Sequence, residues 1–181
     1  MSKEKRELHE LINEGARLLS QKKAKEAAVV LEKAYYMAPE DVDVKINLGG
    51  AYIMQGRFND AIPILEEAAQ QAPDNPMVWT NLAAAYLGHL EHAGKEQQDA
   101  AIAAFKRALK ADPKAPNVDY NLGLIYLRRK DLPTALAHFR RALEVNPADK
   151  DAAYYVQKIQ TQLAAEQAPA DARSEKEEGA E

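Results

Sequence analysis

Apolar residues recur at helical spacing along most of the chain, and residues 42–75 show this pattern most clearly. This stretch reads VDVKINLGGAYIMQGRFNDAIPILEEAAQQAPDN. One apolar run, from Ile46 to Ile53, ends before Gly56, and a second run, from Phe58 to Ala68, continues until Pro73. The pattern predicts two antiparallel helices joined by a tight turn. Such a pair cannot bury both of its faces alone, so we expect further pairs along the chain.

The same arrangement occurs four times in a row. The predicted helix pairs occupy residues 8–41, 42–75, 76–115 and 116–149. Each pair is closed by a proline, and these prolines are Pro39, Pro73, Pro113 and Pro147, at spacings of 34, 40 and 34 residues. We expect each second helix to stop before its proline, because the residue preceding a proline is pushed out of the helical region. A repeat of this period predicts an array in which each hairpin packs mainly on its neighbours.

Small residues keep the register of the repeat. They are Gly15, Gly49, Ala83 and Gly123 in the first helices, and Ala27, Ala61, Ala101 and Ala135 in the second. We expect the two helices of each hairpin to cross closely at these positions, while larger pairs such as Leu48 with Tyr52 fill the space between hairpins.

The repeat resembles the tetratricopeptide repeat over about residues 8–149. In the third unit the matching positions are Trp79, Leu82, Ala83, Tyr86, Ala101, Phe105, Ala108 and Pro113. The resemblance implies an all-α fold, a right-handed superhelical solenoid of antiparallel hairpins. It also implies that the first helix of each hairpin lines the concave face.

Two departures from the repeat affect the predicted helices. The third unit has six extra residues between Leu87 and Ala100, for which we expect longer helices that meet at a turn around Gly94. Pro63 lies beyond the first turn expected for its helix, which therefore either begins late, near Asp60, or bends. Pro133 fits a first turn, since Asp131 can cap that helix.

The C-terminal part of the chain departs from the hairpin pattern. Residues 150–167 predict one further helix without a partner, which would cap an array occupying residues 1–167. Residues 168–181 are acidic and poor in large apolar groups, so we expect a disordered tail.

Composition and charge exclude several classes of protein. The 181 residues are 46% hydrophobic and 29% charged, and none is cysteine, which removes disulfides and thiolate sites. The net charge of −4 arises entirely in residues 164–181, where six acidic residues face two basic ones, so the rest is neutral and lacks the basic footprint of a nucleic-acid binder. No long apolar run predicts a signal sequence or a membrane span, and we expect a cytoplasmic protein.

The sequence contains no pattern typical of an enzyme. It has no phosphate-binding loop, nucleophile elbow or cofactor motif, and we predict neither catalysis nor a cofactor. His89 and His92 are three residues apart and could contact one divalent ion, but no third and fourth ligand is fixed, so we predict no metal site.

One polar residue recurs in every first helix, at Asn13, Asn47, Asn81 and Asn121. The resemblance places this position toward the concave groove, where a carboxamide can both donate to and accept from a peptide backbone. Some family members, including the repeat domain of the O-linked glycosyltransferase, hold peptides with such a ladder. The alternative is that asparagine is common at this position and is solvated in the free protein.

Further positions are predicted to line this groove or the seams between hairpins. They are Gly50, Ile53, Ala84, Leu87, Tyr120, Leu124 and Arg128. A glycine inside a helix is unfavourable, so Gly50 indicates either close packing or the approach of a ligand backbone. Family members that clamp acidic chaperone tails use several cations in the groove, whereas Arg128 is the one candidate cation here, which argues against such a partner.

These observations predict a non-catalytic adaptor that binds an extended peptide or a partner helix in its groove. The alternative function is a self-assembling scaffold, in which the groove or the inserted segment docks onto another copy. The two hypotheses differ in whether the mass of the protein depends on its concentration.

Overall fold

The computed structural model describes residues 3–167, and all regular secondary structure in that range is α-helical. The helices are α1 (Lys3–Ser20), α2 (Ala24–Met37), α3 (Val42–Met54), α4 (Phe58–Gln71), α5 (Pro76–Leu87), α6 (Lys95–Ala111), α7 (Val118–Arg128), α8 (Leu132–Val145) and α9 (Lys150–Gln167). Each predicted hairpin is present as a pair of contacting helices, from α1 with α2 to α7 with α8. The all-α class predicted from the repeat is confirmed.

The chain divides into two compact units at Ala115 and Pro116. The first unit contains three hairpins, α1 to α6, and the second contains the hairpin α7–α8 together with α9. The predicted repeat and array boundaries remain predictions, and the predicted disordered tail at residues 168–181 lies outside the described residues.

Prolines end the second helices as expected. The four residues that precede the closing prolines are Ala38, Ala72, Asp112 and Asn146, and their φ angles lie between −143° and −131°. In each of them the backbone N–H still donates to the carbonyl four residues earlier, so the helix finishes its last turn before the chain becomes extended.

Side-chain caps start several of the helices. Asp41 accepts from the backbone N–H of Val44 at 3.1 Å, and Asn75 accepts from that of Met77 at 3.0 Å. Asp131 accepts from Thr134 N–H at 3.2 Å, which places Pro133 in the first turn of α8, as predicted. The late start considered for α4 is wrong, because α4 begins at Phe58 and holds Pro63 inside the helix.

The small residues of the first helices are contact points within the hairpins. A Cβ atom at Gly15 would lie 2.4 Å from Leu31 Cδ2, and one at Gly49 would lie 2.6 Å from Leu65 Cγ. At Gly123 it would lie 2.9 Å from the Phe139 ring. These glycines are therefore required by the close crossing of the two helices in each hairpin.

The inserted segment differs from the prediction. Instead of lengthening α5, it forms a loop, because α5 ends at Leu87 and Gly88 takes a φ of +56°. Residues 89–93 make a single turn in which the N–H groups of His92 and Ala93 both donate to the carbonyl of His89. The buried side chain of Gln98 donates to the carbonyl of Ala93 at 2.8 Å and holds the loop against α6.

The final helix packs on α8 through Ala152 and Ile159, which are both buried. Gln157 lies 34 residues after Gly123, at the position where a hairpin requires a small residue. Because this glutamine is exposed and too large for a close crossing, α9 ends the second unit without a partner helix of its own among the described residues.

Candidate peptide-binding groove

The first helices of the first unit lie side by side, since α1 contacts α3 and α3 contacts α5. Each carries its asparagine two residues before the small residue that contacts the second helix of the hairpin. Two residues turn an α-helix by about 200°. Asn13, Asn47 and Asn81 therefore lie on the side of α1, α3 and α5 that points away from α2, α4 and α6, and we call this side the groove face.

Asn47, Gly50 and Asn81 lie close together on the groove face. Gly50 is three residues after Asn47 on α3, and a Cβ atom at Gly50 would have Asn81 Nδ2 at 3.8 Å as its one neighbour within 4 Å. This is ordinary contact distance in half-open space. Gly49 thus serves packing, as predicted, whereas no contact in the described residues requires a glycine at position 50.

The asparagines differ in how much of their hydrogen-bonding capacity is already used. Asn81 Nδ2 donates to the carbonyl of Ile46 at 3.3 Å, which links α5 to α3 and leaves one N–H and the carboxamide oxygen. The Asn13 and Asn47 side chains form no hydrogen bond with any residue in the range 3–167. Asn13 is exposed and Asn47 is half-buried.

The predicted apolar members of the groove are less exposed than the asparagines. Ile53 is half-buried and packs against the core of the first unit, and Ala84 is half-buried as well. Leu87 is only 8% exposed, because the inserted loop follows it directly. On the groove face of α3 and α5, polar groups and small residues therefore dominate.

In the second unit the predicted residues mostly serve the core. The ring of Tyr120 packs against Phe139 and Tyr155, with ring centroids 5.7 and 6.3 Å away, and Leu124 joins the same cluster. Asn121 Nδ2 donates to the carbonyl of Asn117 at 2.9 Å within its own turn. Arg128 is exposed and engaged in an interaction of its own.

Tyrosines join successive hairpins of the first unit. Tyr52 donates to Glu32 at 2.9 Å, and Tyr86 donates to Glu66 at 2.6 Å. Burial raises the pKa of Tyr52 and that of Tyr86 to about 12, and the hydrogen bonds to the carboxylates act in the same direction.

The sequence gave no warning of two buried charged residues. Lys45 is 1% exposed, and its Nζ lies 3.0 Å from Glu67 and 3.1 Å from Gln71 Oε1. Asp119 is 5% exposed and lies 2.7 Å from His138 Nδ1. Both occupy the repeat position of Trp79, at offsets of 34 and 40 residues, and this correspondence was the available signal.

The histidines of the insertion do not form part of a metal-binding cluster. Their ring centroids are 6.4 Å apart, and no group of three or more potential ligands is found within the described part of the chain. None of the described helices is long and apolar enough to cross a membrane.

Curated relatives match short parts of the chain. Superkiller complex protein 3 of Mus musculus is 41% identical over 70 residues, which cover 39% of this chain and 4% of the relative. Anaphase-promoting complex subunit 3 of Schizosaccharomyces pombe is 35% identical over 60 residues, or 33% of this chain and 9% of the relative. The chain thus spans less than a tenth of the length of these relatives.

Solved structures share the fold at low sequence identity. PilF of Pseudomonas aeruginosa has a TM-score of 0.76 at 20% identity and covers 91% of this chain and 72% of its own. A thermophilic tetratricopeptide repeat protein of Thermus thermophilus has a TM-score of 0.74 at 17% identity, covering 86% and 82%. MamA of Desulfovibrio magneticus has a TM-score of 0.65 at 24% identity, covering 79% and 77%.

Family models agree with the hairpin geometry. Two models described as "Tetratricopeptide repeat" match residues 18–86 and 90–153, so that together they span the hairpins of both units. The repeat period, the glycine contacts within hairpins and these matches all agree. The chain belongs to the tetratricopeptide repeat family.

Proposed function

We propose that this chain is a non-catalytic adaptor that binds an extended peptide of a cytoplasmic partner protein on the groove face of α1, α3 and α5. Membership of the family supports a role in protein interaction in general. The mode of binding is inferred from the asparagines and from Gly50.

Gly50 is the observation that carries the proposal. A glycine inside a helix costs about 0.5–1 kcal/mol relative to alanine. At Gly49 the contact with Leu65 accounts for this cost, but at Gly50 a Cβ atom would have room. A requirement for close approach by another backbone would explain why the cost is tolerated on this face.

The asparagines beside Gly50 suit a peptide backbone. Each free carboxamide presents donors and an acceptor, which match the carbonyl and N–H groups of an extended chain. Asn47 has its full capacity available, and Asn81 retains one N–H and its oxygen. In this arrangement α3 and α5 provide the main contacts, and Asn13 extends them.

The test is panning of a random peptide display library against the wild type, Asn47→Ala and Gln160→Ala. Asn47→Ala removes an amide that bonds to no described residue, so the fold should be unaffected. Gln160→Ala removes an exposed amide from α9 and serves as the matched control. Equal helicity and equal thermal midpoints are confirmed first.

We expect the wild type and Gln160→Ala to enrich the same peptides and Asn47→Ala to lose them. If no variant enriches a peptide, or if Asn47→Ala enriches the same set, the groove proposal is wrong. A mass that rises with protein concentration would then favour the self-assembling scaffold.

A further inference from the structure

A second cavity lies beside the inserted loop, away from the asparagines. Its volume is about 420 Å³, within the range of small-ligand sites. The start of α4, the end of α5, the loop and the start of α6 enclose it. The residues that carry the argument are Phe58, Ile62, Tyr86, His89, His92 and Glu96.

Four ring-bearing side chains line this cavity, and those of the loop are in fixed contact. The rings of Phe58 and His89 meet edge to face with centroids 5.1 Å apart, and His92 meets His89 in the same way at 6.4 Å. Gly88 lies against the Phe58 ring, since a Cβ atom there would be 3.4 Å from Phe58 Cδ2. The cavity is therefore formed by packed groups.

One formal charge lines the cavity when histidine is counted as neutral, and it is the carboxylate of Glu96. Within residues 3–167 this carboxylate has no ion pair or hydrogen bond. Aromatic faces attract cations, and a carboxylate at the rim adds to that attraction. The complementary ligand is cationic and flat enough to lie on rings.

The protein itself places guanidinium groups on aromatic rings nearby. Arg57 Cζ lies 4.1 Å from the centroid of the Tyr52 ring, and Arg107 Cζ lies 5.6 Å from that of Trp79. Arg57 directly precedes Phe58 but is held by Asp60 at 2.7 Å, so it does not occupy the cavity. A planar guanidinium suits such stacking better than an ammonium does.

We infer that this cavity binds the side chain of an arginine from a partner protein, with the guanidinium on the rings and paired with Glu96. The inference goes beyond the groove proposal because no asparagine of the groove face lines the cavity. Both sites belong to the first unit, but either can fail without the other.

The test is a titration of the ¹⁵N-labelled full chain with N-acetyl-arginine amide, followed by NMR shifts of backbone amides. N-acetyl-citrulline amide is the matched probe, since it has almost the same shape without the charge. Glu96→Gln removes the pocket carboxylate, and Glu91→Gln removes a neighbouring charge of the loop that does not line the cavity. Phe58→Leu removes one ring and keeps an apolar side chain.

We expect the arginine probe to shift amides at residues 58–62 and 86–97, with an affinity about tenfold higher than that of the citrulline probe. Glu96→Gln and Phe58→Leu should lose most of this binding, while Glu91→Gln and Asn47→Ala should retain it. Equal affinity for the two probes, full binding by Glu96→Gln, or the absence of shifts in the wild type would overturn the inference.

Discussion

Gly49 and Gly50 are neighbours in α3, yet alanine should have opposite effects at the two positions. Gly49→Ala places a Cβ atom 2.6 Å from the buried Leu65 Cγ, and we expect it to lower the free energy of unfolding by about 1–3 kcal/mol. Gly50→Ala meets no obstacle and should raise that free energy by about 0.5–1 kcal/mol. Urea denaturation with an unchanged slope measures both.

Two other glycines provide controls for this comparison. Gly15→Ala and Gly123→Ala meet Leu31 and Phe139 at close range and should destabilise the protein as Gly49→Ala does. If Gly50→Ala is as destabilising as these variants, then Gly50 serves packing and the argument for an open groove position fails.

Tyr52 and Tyr86 should be the last tyrosines to ionise. Burial, followed by the hydrogen bonds to Glu32 and Glu66, raises the pKa of each to about 12, whereas an unfolded tyrosine titrates near about 10. The folded state holds these protons more tightly, so the corresponding stability is complete below about pH 10 and is lost as the pH rises toward 12.

The ultraviolet absorbance of tyrosinate against pH tests this prediction, together with urea midpoints at pH 9 and about pH 11. Glu32→Gln removes the carboxylate beside Tyr52 and should lower the pKa of that tyrosine while leaving Tyr86 unchanged. Ionisation of all eight tyrosines in one step near pH 10 would contradict it.

Within the second hairpin, Lys45 connects α3 to α4 through Glu67 and Gln71. Glu67→Gln leaves a buried ammonium without its nearest carboxylate, and we expect a loss of about 1–3 kcal/mol in the free energy of unfolding. Lys45→Met should cost less, because Glu67 is 55% exposed and can be hydrated when its partner is apolar. Urea midpoints of the two variants decide the order, and a larger loss for Lys45→Met would contradict this account.

The ends of the helices show what the sequence could predict about individual elements. Proline and cap signals act locally, so the ends at Pro39 and Pro73 and the start of α8 were predictable. The inserted loop was not, because residues such as Leu90 and Glu91 also suit a helix. Contacts distant in sequence, between Gly88 and Phe58 and between Gln98 and Ala93, stabilise the loop instead.

For the whole molecule, the 34-residue period was sufficient to predict the four hairpins, because it repeats the same packing requirement. The candidate site was predicted only in part. The asparagine positions followed from the repeat, but the bond from Asn81 to Ile46 and the packing of Tyr120 on Phe139 depend on which side-chain conformations the neighbours allow. The arginine cavity combines residues from three helices and a loop, which no local pattern brings together.

The most direct test of the central claim is the affinity of Gly50→Ala for a peptide enriched by the wild type. The groove account predicts that this variant is at least as stable as the wild type and yet binds the peptide about tenfold more weakly or worse, since a methyl group would separate two backbones. Unchanged affinity in a stably folded Gly50→Ala variant would show that the peptide does not approach α3 at this position and would contradict the account.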